Sequence, residues 1–401
     1  MTQSGTTSSP RICVLGGGFG GLYTALNLTQ FPWDSSATPE ITLVDQRDRF
    51  LFAPLLYELL TGELETWEIA PPFAELLAET PIQFKQQAVA NIDVDYKTVE
   101  LADQTTLAYD YLVLALGGDT PMDLVPGAAA YAIPFRTVAD AYRLEEALKR
   151  VEQSDQDKIR VAIVGGGYSG VELACKLAER LGDRGRLRII EMADQILRTS
   201  PDFNRDAAVK ALSDRHVLLD LDTRVSAITA DTITLAYQDQ EDELPVDIVL
   251  WTVGTKVADI VKTLPLAQTE RHQLKVNTKL QAIERSEIFA LGDLAESFDA
   301  TGQRVVSTAQ SALQQAQYAA WNIWASECDR PLLPFRYQHL GEMMTLGLDN
   351  ATLTGLGFTL DGPLAHVARR LAYLYRMPTL DHQIKVGLNW VTKPIQDLLS
   401  V

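Results

Sequence analysis

The sequence predicts an α/β protein in which one nucleotide-binding unit occurs twice, followed by a C-terminal segment of different character. Three observations predict it. The strings RICVLGGG (11–18) and RVAIVGGG (160–167) are apolar strands running into glycines, and each leads into a helix-forming stretch, GLYTALNL and GVELACKL. Each unit then reaches a second apolar strand that ends in an acid, ITLVD at 41–45 and LRIIE at 187–191. Each closes on a buried strand followed by glycine, YDYLVLALGG (109–118) and VDIVLWTVGT (246–255). Strands alternating with helices imply parallel sheets covered on both faces, with right-handed crossovers and ligands at the carboxyl ends of the strands. The alternating segments QAVANIDVDYKTVEL and TRVSAITADTITLAY read as a small antiparallel insertion in each unit.

Composition narrows the function classes. The 401 residues are 46% hydrophobic and 22% charged, ordinary globular values for a chain of two or three domains. Thirty-five basic side chains face 53 acidic ones, a net charge of -18 that repels polyphosphate backbones, so no nucleic-acid partner is expected. Cys13, Cys175 and Cys328 lie far apart, which suggests a reducing compartment and no structural disulfide. Residues 1–10 read as a short disordered lead without a signal-peptide pattern. No apolar run is long enough to span a membrane as a helix.

The first glycine loop satisfies G-x-G-x-x-G with Gly16, Gly18 and Gly21, and contains Phe19 and Gly20. Its first glycine makes the tight turn, its second admits the backbone close to a pyrophosphate, and its third allows helix–strand packing. The helix N-terminus then offers unpaired N–H groups to phosphate. Asp45 is placed to accept from ribose hydroxyls. The second loop repeats this with Gly165, Gly167 and Gly170, and Glu191 as its acid. Glycine-rich turns also arise for packing alone, but two copies, each with strand, helix and acid at the expected spacing, point to two dinucleotides on one chain. An acid at 191 favours a 2′-hydroxyl, hence NADH. Arg188 and Arg198 lie close enough in sequence to neutralise a 2′-phosphate, which leaves NADPH open. Asp293, in ALGD on a loop after a buried strand, reads as a ribityl acceptor or as an N-cap.

The loops GGGFGG, LALGG (with Gly117) and ALGD follow the order found in two-dinucleotide flavoproteins. With DQRDRFLFAPLLYELLTG (45–62), VGGGYSGVELA (164–174), VLWTVGT (249–255, with Gly254) and TAQSALQQA (308–316), the chain resembles the type II NAD(P)H:quinone oxidoreductases. These are single-subunit, non-pumping enzymes, and the resemblance is greatest to their demethylphylloquinone reductase branch. It implies a disulfide-reductase-like flavoprotein fold with two Rossmann-like domains. It also implies FAD held without a covalent bond, hydride taken from NADH or NADPH, and two electrons passed to a membrane quinone, a naphthoquinone such as demethylphylloquinone. Such an enzyme serves electron transport and phylloquinone biosynthesis. On this reading FAD belongs to residues 11–120 and 266–335, NAD(P)H to 121–265, and 336–401 form the C-terminal segment.

Disulfide reductases of this architecture need a cysteine pair beside the flavin, and 45–62 has none, so direct transfer from nicotinamide to flavin to quinone remains. Glu172, two residues beyond the last glycine of the second loop, is placed to face the flavin–nicotinamide junction and manage protons, or else simply serves the helix dipole. Gln310 and Gln314 share a helix face and are candidates to bond quinone carbonyls or the flavin edge. Phe52, Pro54 and Tyr57 are candidate walls of that site. The expected catalytic residues are thus Glu172, Gln310 and Gln314, and no metal is expected. A flavin-bearing redox sensor or scaffold with slow turnover is the alternative.

The stretch from Pro363 carries Leu364, Val367, Ala368, Leu371, Leu374 and Tyr375 at helical spacing, with His366, Arg369, Arg370, Tyr373 and Arg376 opposite; Trp390 and Lys393 follow. It reads as an interfacial foot whose basic face meets anionic lipid, which places the protein peripherally on the cytoplasmic side of a membrane. A dimer or domain interface is the competing use of that surface.

Overall fold

A computed structural model describes residues 9–34 and 38–399; of the expected lead, residues 1–8 lie outside the described residues. The chain divides into two compact units. One comprises Met1–Phe50, Pro71–Asp119 and Thr255–Gln338, the other Leu51–Ala70, Thr120–Gly254 and His339–Val401.

The first unit is built on a six-stranded sheet in the order Gln281–Ala282, Arg285–Ala290, Tyr111–Leu114, Arg11–Leu15, Glu40–Asp45, Gln83–Gln86. All its neighbours are parallel except the first pair. Ile12, Cys13, Val14 and Leu15 are all buried, as a central parallel strand covered on both faces requires. Helix Phe19–Leu28 follows the first glycine loop and packs along helix Ala309–Glu327. Both helices bury small residues, Gly20, Gly21 and Ala25 on one and Ala312, Ala316, Ala319 and Ala320 on the other. Thr308 caps the second helix by accepting the Ser311 N–H at 3.1 Å. The expected antiparallel insertion is present as Val89–Asp93, Thr98–Leu101 and Thr106–Ala108.

The second unit has a five-stranded, all-parallel sheet in the order Leu218–Asp220, Gly185–Ile190, Ile159–Val164, Ile248–Trp251, Ala132–Pro134. Its antiparallel insertion is Thr223–Ile228, Thr232–Tyr237 and Gln240–Pro245. The charged stretch 143–158, which reads as a linker, mostly forms helix Val138–Glu152 of this unit.

The expected boundaries placed 51–70 with the first unit and set 336–401 apart, whereas residues 51–70 and 339–401 belong to the second unit and 336–338 to the first. Charge is the reason. Residues 339–361 form an antiparallel sheet that leads into helices Gly362–Arg376 and Leu380–Leu399. Arg369 is fully buried; its Nη1 donates to Glu58 Oε1 at 2.6 Å and its Nη2 to the Pro54 carbonyl at 2.9 Å. Lys176, also fully buried, donates to the other Glu58 oxygen at 2.8 Å and pairs with Glu63. Arg370 reaches Glu63 at 3.1 Å. Burial opposes the Glu58 charge, but Arg369 and Lys176 outweigh it and hold that carboxyl well below the usual range.

This cluster overturns the expected role of the basic side chains of helix Gly362–Arg376, not its amphipathic character. Its polar face is the inner one, with His366, Arg369 and Tyr373 buried. Its apolar stripe faces outward, with Leu364 74%, Val367 55%, Leu371 59% and Tyr375 82% exposed. The next helix exposes Leu380, Ile384, Leu388 and Val391, while Trp390 donates to Glu68 at 2.8 Å and Lys393 lies 3.6 Å from Glu65. Arg369, Arg370, Trp390 and Lys393 are therefore committed to acids of this unit and do not present the expected basic face to lipid. No helix among the described residues is long and apolar enough to cross a membrane.

Removing one partner from a buried ion cluster strands the others without compensation. Glu58→Ala is expected to lower unfolding stability by about 3–5 kcal/mol in a urea titration. A loss within experimental error would show that the cluster does not hold the C-terminal segment.

Candidate functional site

In the first unit three loops converge at the carboxyl ends of adjacent strands. Gly16 has φ +100°, and a Cβ there would lie 2.3 Å from the Ala115 carbonyl oxygen, so only glycine fits the turn. A Cβ on Gly21 would lie 1.8 Å from the Gly16 carbonyl oxygen. One on Gly20 would lie 3.3 Å from Leu291 Cβ, and one on Gly118, beside Gly117, 3.5 Å from Asp293 Cβ. The loops carrying Gly16–Gly21, Gly117 and Asp293 are thus brought together, as their order in the sequence implies. At Gly18 a Cβ would meet nothing within 4 Å. Helix Phe19–Leu28 begins there without a side-chain cap, which leaves its first-turn N–H groups for a ligand. Phe19 packs edge-on against Phe50 at 5.2 Å. Asp45 is fixed by the loop it serves: the Gly17 N–H donates to its Oδ2 at 2.7 Å and the Arg47 N–H to its Oδ1 at 2.8 Å.

The second unit repeats the device. Gly165 has φ +111°, and a Cβ on Gly170 would lie 1.9 Å from the Gly165 carbonyl oxygen. Gly167 opens onto free space and begins helix Tyr168–Leu181, again without a side-chain cap. The Gly166 N–H donates to Glu191 Oε2 at 2.7 Å and the Ala193 N–H to Oε1 at 2.9 Å. Gly254, with φ +80°, turns the chain after strand Ile248–Trp251. Gly166, Gly167, Glu191, Met192, Arg198 and Thr199 line a cleft of about 460 Å³. Each unit thus has a turn stripped of Cβ atoms, a helix end pointing at open space, and an acid aligned by main-chain N–H groups, which fits one dinucleotide per unit.

Glu172 is buried beside the ion cluster, where its Oε1 accepts the Thr345 N–H at 2.9 Å and lies 3.7 Å from Arg369 Nη2. Burial pushes its carboxyl up to about 7, against the pull of Arg369 and the Thr345 N–H, so the group holds or releases a proton near neutrality. Gln310 and Gln314 share a face of helix Ala309–Glu327, and both meet the segment that follows it. Gln310 accepts from the Tyr337 hydroxyl at 2.9 Å. Gln314 donates to the Gln338 carbonyl at 2.8 Å and accepts its N–H at 2.9 Å, so its amide fixes main chain. Sequence reasoning missed the neighbouring Gln315, which is buried and ties this helix to the Asp293 loop by accepting the Gly292 N–H at 2.8 Å. It stands in the same QQ pair, but a polar residue on the core side of a helix carries no distinctive spacing. Of the candidate wall residues, Phe52 packs on Tyr373 at 5.4 Å, Pro54 receives Arg369, and Tyr57 donates to Ser169 Oγ at 2.9 Å.

Cys13 and Cys175 are free and buried, and burial pushes each thiol up to about 12, far from a reactive thiolate. Cys328 is also free.

Residues 10–316 match the pyridine nucleotide-disulphide oxidoreductase family. The chain is 57% identical to demethylphylloquinone reductase NdbB of Synechocystis sp., over 98% of this chain and 99% of that protein. It is 43% identical to alternative NAD(P)H-ubiquinone oxidoreductase C1, chloroplastic/mitochondrial, of Arabidopsis thaliana, over 98% of this chain and 82% of that one. Among solved structures it resembles NDH2 of Plasmodium falciparum in complex with NADH, with a TM-score of 0.84 at 17% identity, over 96% of this chain and 98% of that one.

The open space at Gly167 separates folding from binding. Gly167→Val is expected to leave the urea midpoint close to wild type while weakening NAD⁺ by about tenfold or more in calorimetry, because its side chain enters the pyrophosphate path. Unchanged affinity would remove the second cradle from the reading.

Proposed function

Because the chain belongs to the pyridine nucleotide-disulphide oxidoreductase family, we propose that it is an FAD-dependent NAD(P)H:quinone oxidoreductase of the type II, demethylphylloquinone reductase kind. The observation that carries this is the paired cradle, in a chain that matches a demethylphylloquinone reductase from end to end at 57% identity. Gly16, Gly18, Phe19, Gly20, Gly21, Asp45, Gly117 and Asp293 would hold FAD, whose fit the convergent loops of the first unit support. Gly165, Gly167, Gly170, Glu191 and Gly254 would hold NAD(P)H. FAD supplies the two-electron carrier that takes hydride from nicotinamide and passes the electrons to the quinone.

The protein's part is binding, orientation and proton handling. The glycine turns and helix ends seat the pyrophosphates, and Asp45 and Glu191 orient the riboses through hydrogen bonds the main chain has already aligned. Glu172, with its raised carboxyl pKa, is the proton-managing residue. Gln310 is the amide placed to meet the quinone or the flavin edge, and Gln314 positions the segment beside it. The acceptor is a membrane naphthoquinone, and the enzyme moves no protons across the bilayer.

The exposed stripes of helices Gly362–Arg376 and Leu380–Leu399 support a peripheral seat on the bilayer surface, and the sparse, unpaired cysteines favour its cytoplasmic, reducing side. Apolar contact, rather than the expected arginine–lipid attraction, would supply the hold. A second copy of the chain is the other surface that would cover these stripes.

Two experiments test this. The flavin-loaded protein should oxidise NADH or NADPH in steady state with a soluble naphthoquinone; a reduced flavin–NAD⁺ complex that persists without turnover would establish the sensor instead. In flotation with neutral phosphatidylcholine vesicles the wild type should rise with the lipid, and the triple variant Leu364→Ser, Val367→Ser, Leu371→Ser should not. A variant that floats unchanged, or a wild type that sediments as a dimer and ignores lipid, would overturn the membrane seat.

A further inference from the structure

The two walls of the second cleft are separate stretches of chain. One is Gly166, Gly167 and Tyr168, and the other runs from Glu191 to Thr199. At Gly166 the main chain joins them, since its N–H donates to Glu191 and its carbonyl accepts the Leu197 N–H at 2.9 Å. At Tyr168 side chains make the join. The Tyr168 hydroxyl lies 2.7 Å from Oγ of Ser200, the residue directly after the second wall. Both hydroxyls also meet one carboxylate oxygen, Glu342 Oε2, which lies 2.9 Å from Ser200 Oγ. Two hydroxyl protons serve these three oxygens, and the carboxylate is the member that can only accept.

Glu342 comes from the C-terminal sheet, where it opens strand Glu342–Thr345. That strand meets helix Tyr168–Leu181 at two points one turn apart, through Glu342 at Tyr168 and through the Thr345 N–H at Glu172. A third group steadies the carboxylate. Asn204, fully buried in helix Asp202–Asp214, turns its Nδ2 to Glu342 Oε2 at 3.4 Å and to Thr354 Oγ1, on the adjoining strand, at 3.1 Å. The second Glu342 oxygen lies 4.0 Å from His339 Nε2. Ser200 is 7% exposed, so its bond to the carboxylate runs through a low dielectric, which strengthens it.

We propose that Glu342 is a positioning residue for the pyridine nucleotide, setting the separation of the cleft's walls by holding Tyr168 and Ser200 on one oxygen. It touches no ligand itself and acts through the two hydroxyls. Hydrogen bonds to an ionised acceptor are roughly twice as strong as neutral ones. The walls are therefore fixed before a nucleotide enters, and less freedom is lost when it does. The hold acts on the width of the cleft rather than on any one group of the ligand, so NADH and NADPH depend on it alike. The inference deepens the nucleotide reading of the second unit and rests on it.

Calorimetry with NAD⁺ and NADP⁺ on the flavin-loaded protein, beside urea titrations of the same variants, tests it. Glu342→Ala is expected to weaken both nucleotides by about tenfold. Glu342→Gln, which keeps a carbonyl oxygen as acceptor, should recover part of that loss. Tyr168→Phe removes one hydroxyl and keeps the ring. It should weaken binding several-fold, and adding Glu342→Gln to it should cost less than Glu342→Gln costs alone. Thr354→Val cuts the Asn204 bond to the sheet, leaves the three oxygens in place, and should bind both nucleotides like wild type. In steady state the loss should appear in KM for NADH and NADPH, with kcat held. Affinities within about twofold of wild type in Glu342→Ala, full additivity in the Tyr168–Glu342 cycle, or an equal loss in Thr354→Val overturns the assignment. The cycle uses only the conservative variants, so it decides the matter even if Glu342→Ala unfolds. If wild type binds NAD⁺ and these variants bind it equally well, the inference fails alone. If wild type binds neither nucleotide, the nucleotide reading fails with it.

Discussion

In each unit a carboxylate at the end of the second strand accepts an N–H from the glycine loop of the first, Gly17 to Asp45 and Gly166 to Glu191. That bond ties together the two pieces the proposed dinucleotide sites need, a turn for pyrophosphate and an acid for ribose. Each carboxylate also takes a second N–H from the residue two places on, Arg47 or Ala193, so its plane is set before any ligand arrives. Binding then spends little on ordering the site. The same bond explains why the acid follows the glycines at so regular a distance, since it is part of the turn as well as part of the site.

The other organising interaction is the buried cluster of Glu58, Glu63, Lys176, Arg369 and Arg370. It joins the helix after the second glycine loop, the segment from Leu51 to Ala70 and helix Gly362–Arg376 into one body. Glu172 projects from the same helix as Lys176 and lies beside Arg369, so the proton-holding carboxyl and the ion cluster share one electrostatic environment. Glu63 feels it as well, pushed up to about 7 by burial and by Glu58. Once both have lost their protons, the three carboxylates Glu58, Glu63 and Glu172 face the three cations Lys176, Arg369 and Arg370.

Much of this was legible in the sequence because it is local. Strand, glycine loop, helix and acid fall within some 30 residues, and their repetition separates a nucleotide cradle from an ordinary tight turn. The antiparallel insertions were legible through their alternation. What was not legible depends on distant partners. Arg369 and Glu58 are 311 residues apart, and nothing near either one announces the other. Hydrophobic periodicity marks two faces on helix Gly362–Arg376 but does not say which is inward, and the usual answer fails when the polar face finds buried acids of opposite charge. Likewise Gln314 and Gln315 look alike as letters; only the packing reveals that one fixes Gln338 and the other the loop that carries Asp293. Arg188 and Arg198 were equal candidates until Asp220 claimed the first.

The outward stripe of Leu364, Val367, Leu371 and Tyr375 has a consequence for how the protein is handled. Coulombic adhesion fades as electrolyte is added, but the affinity of an oily ridge for another oily surface strengthens with salting-out ions such as sulfate. A brine wash should therefore tighten whatever this ridge grips, and mild detergent is the reagent suited to loosening it.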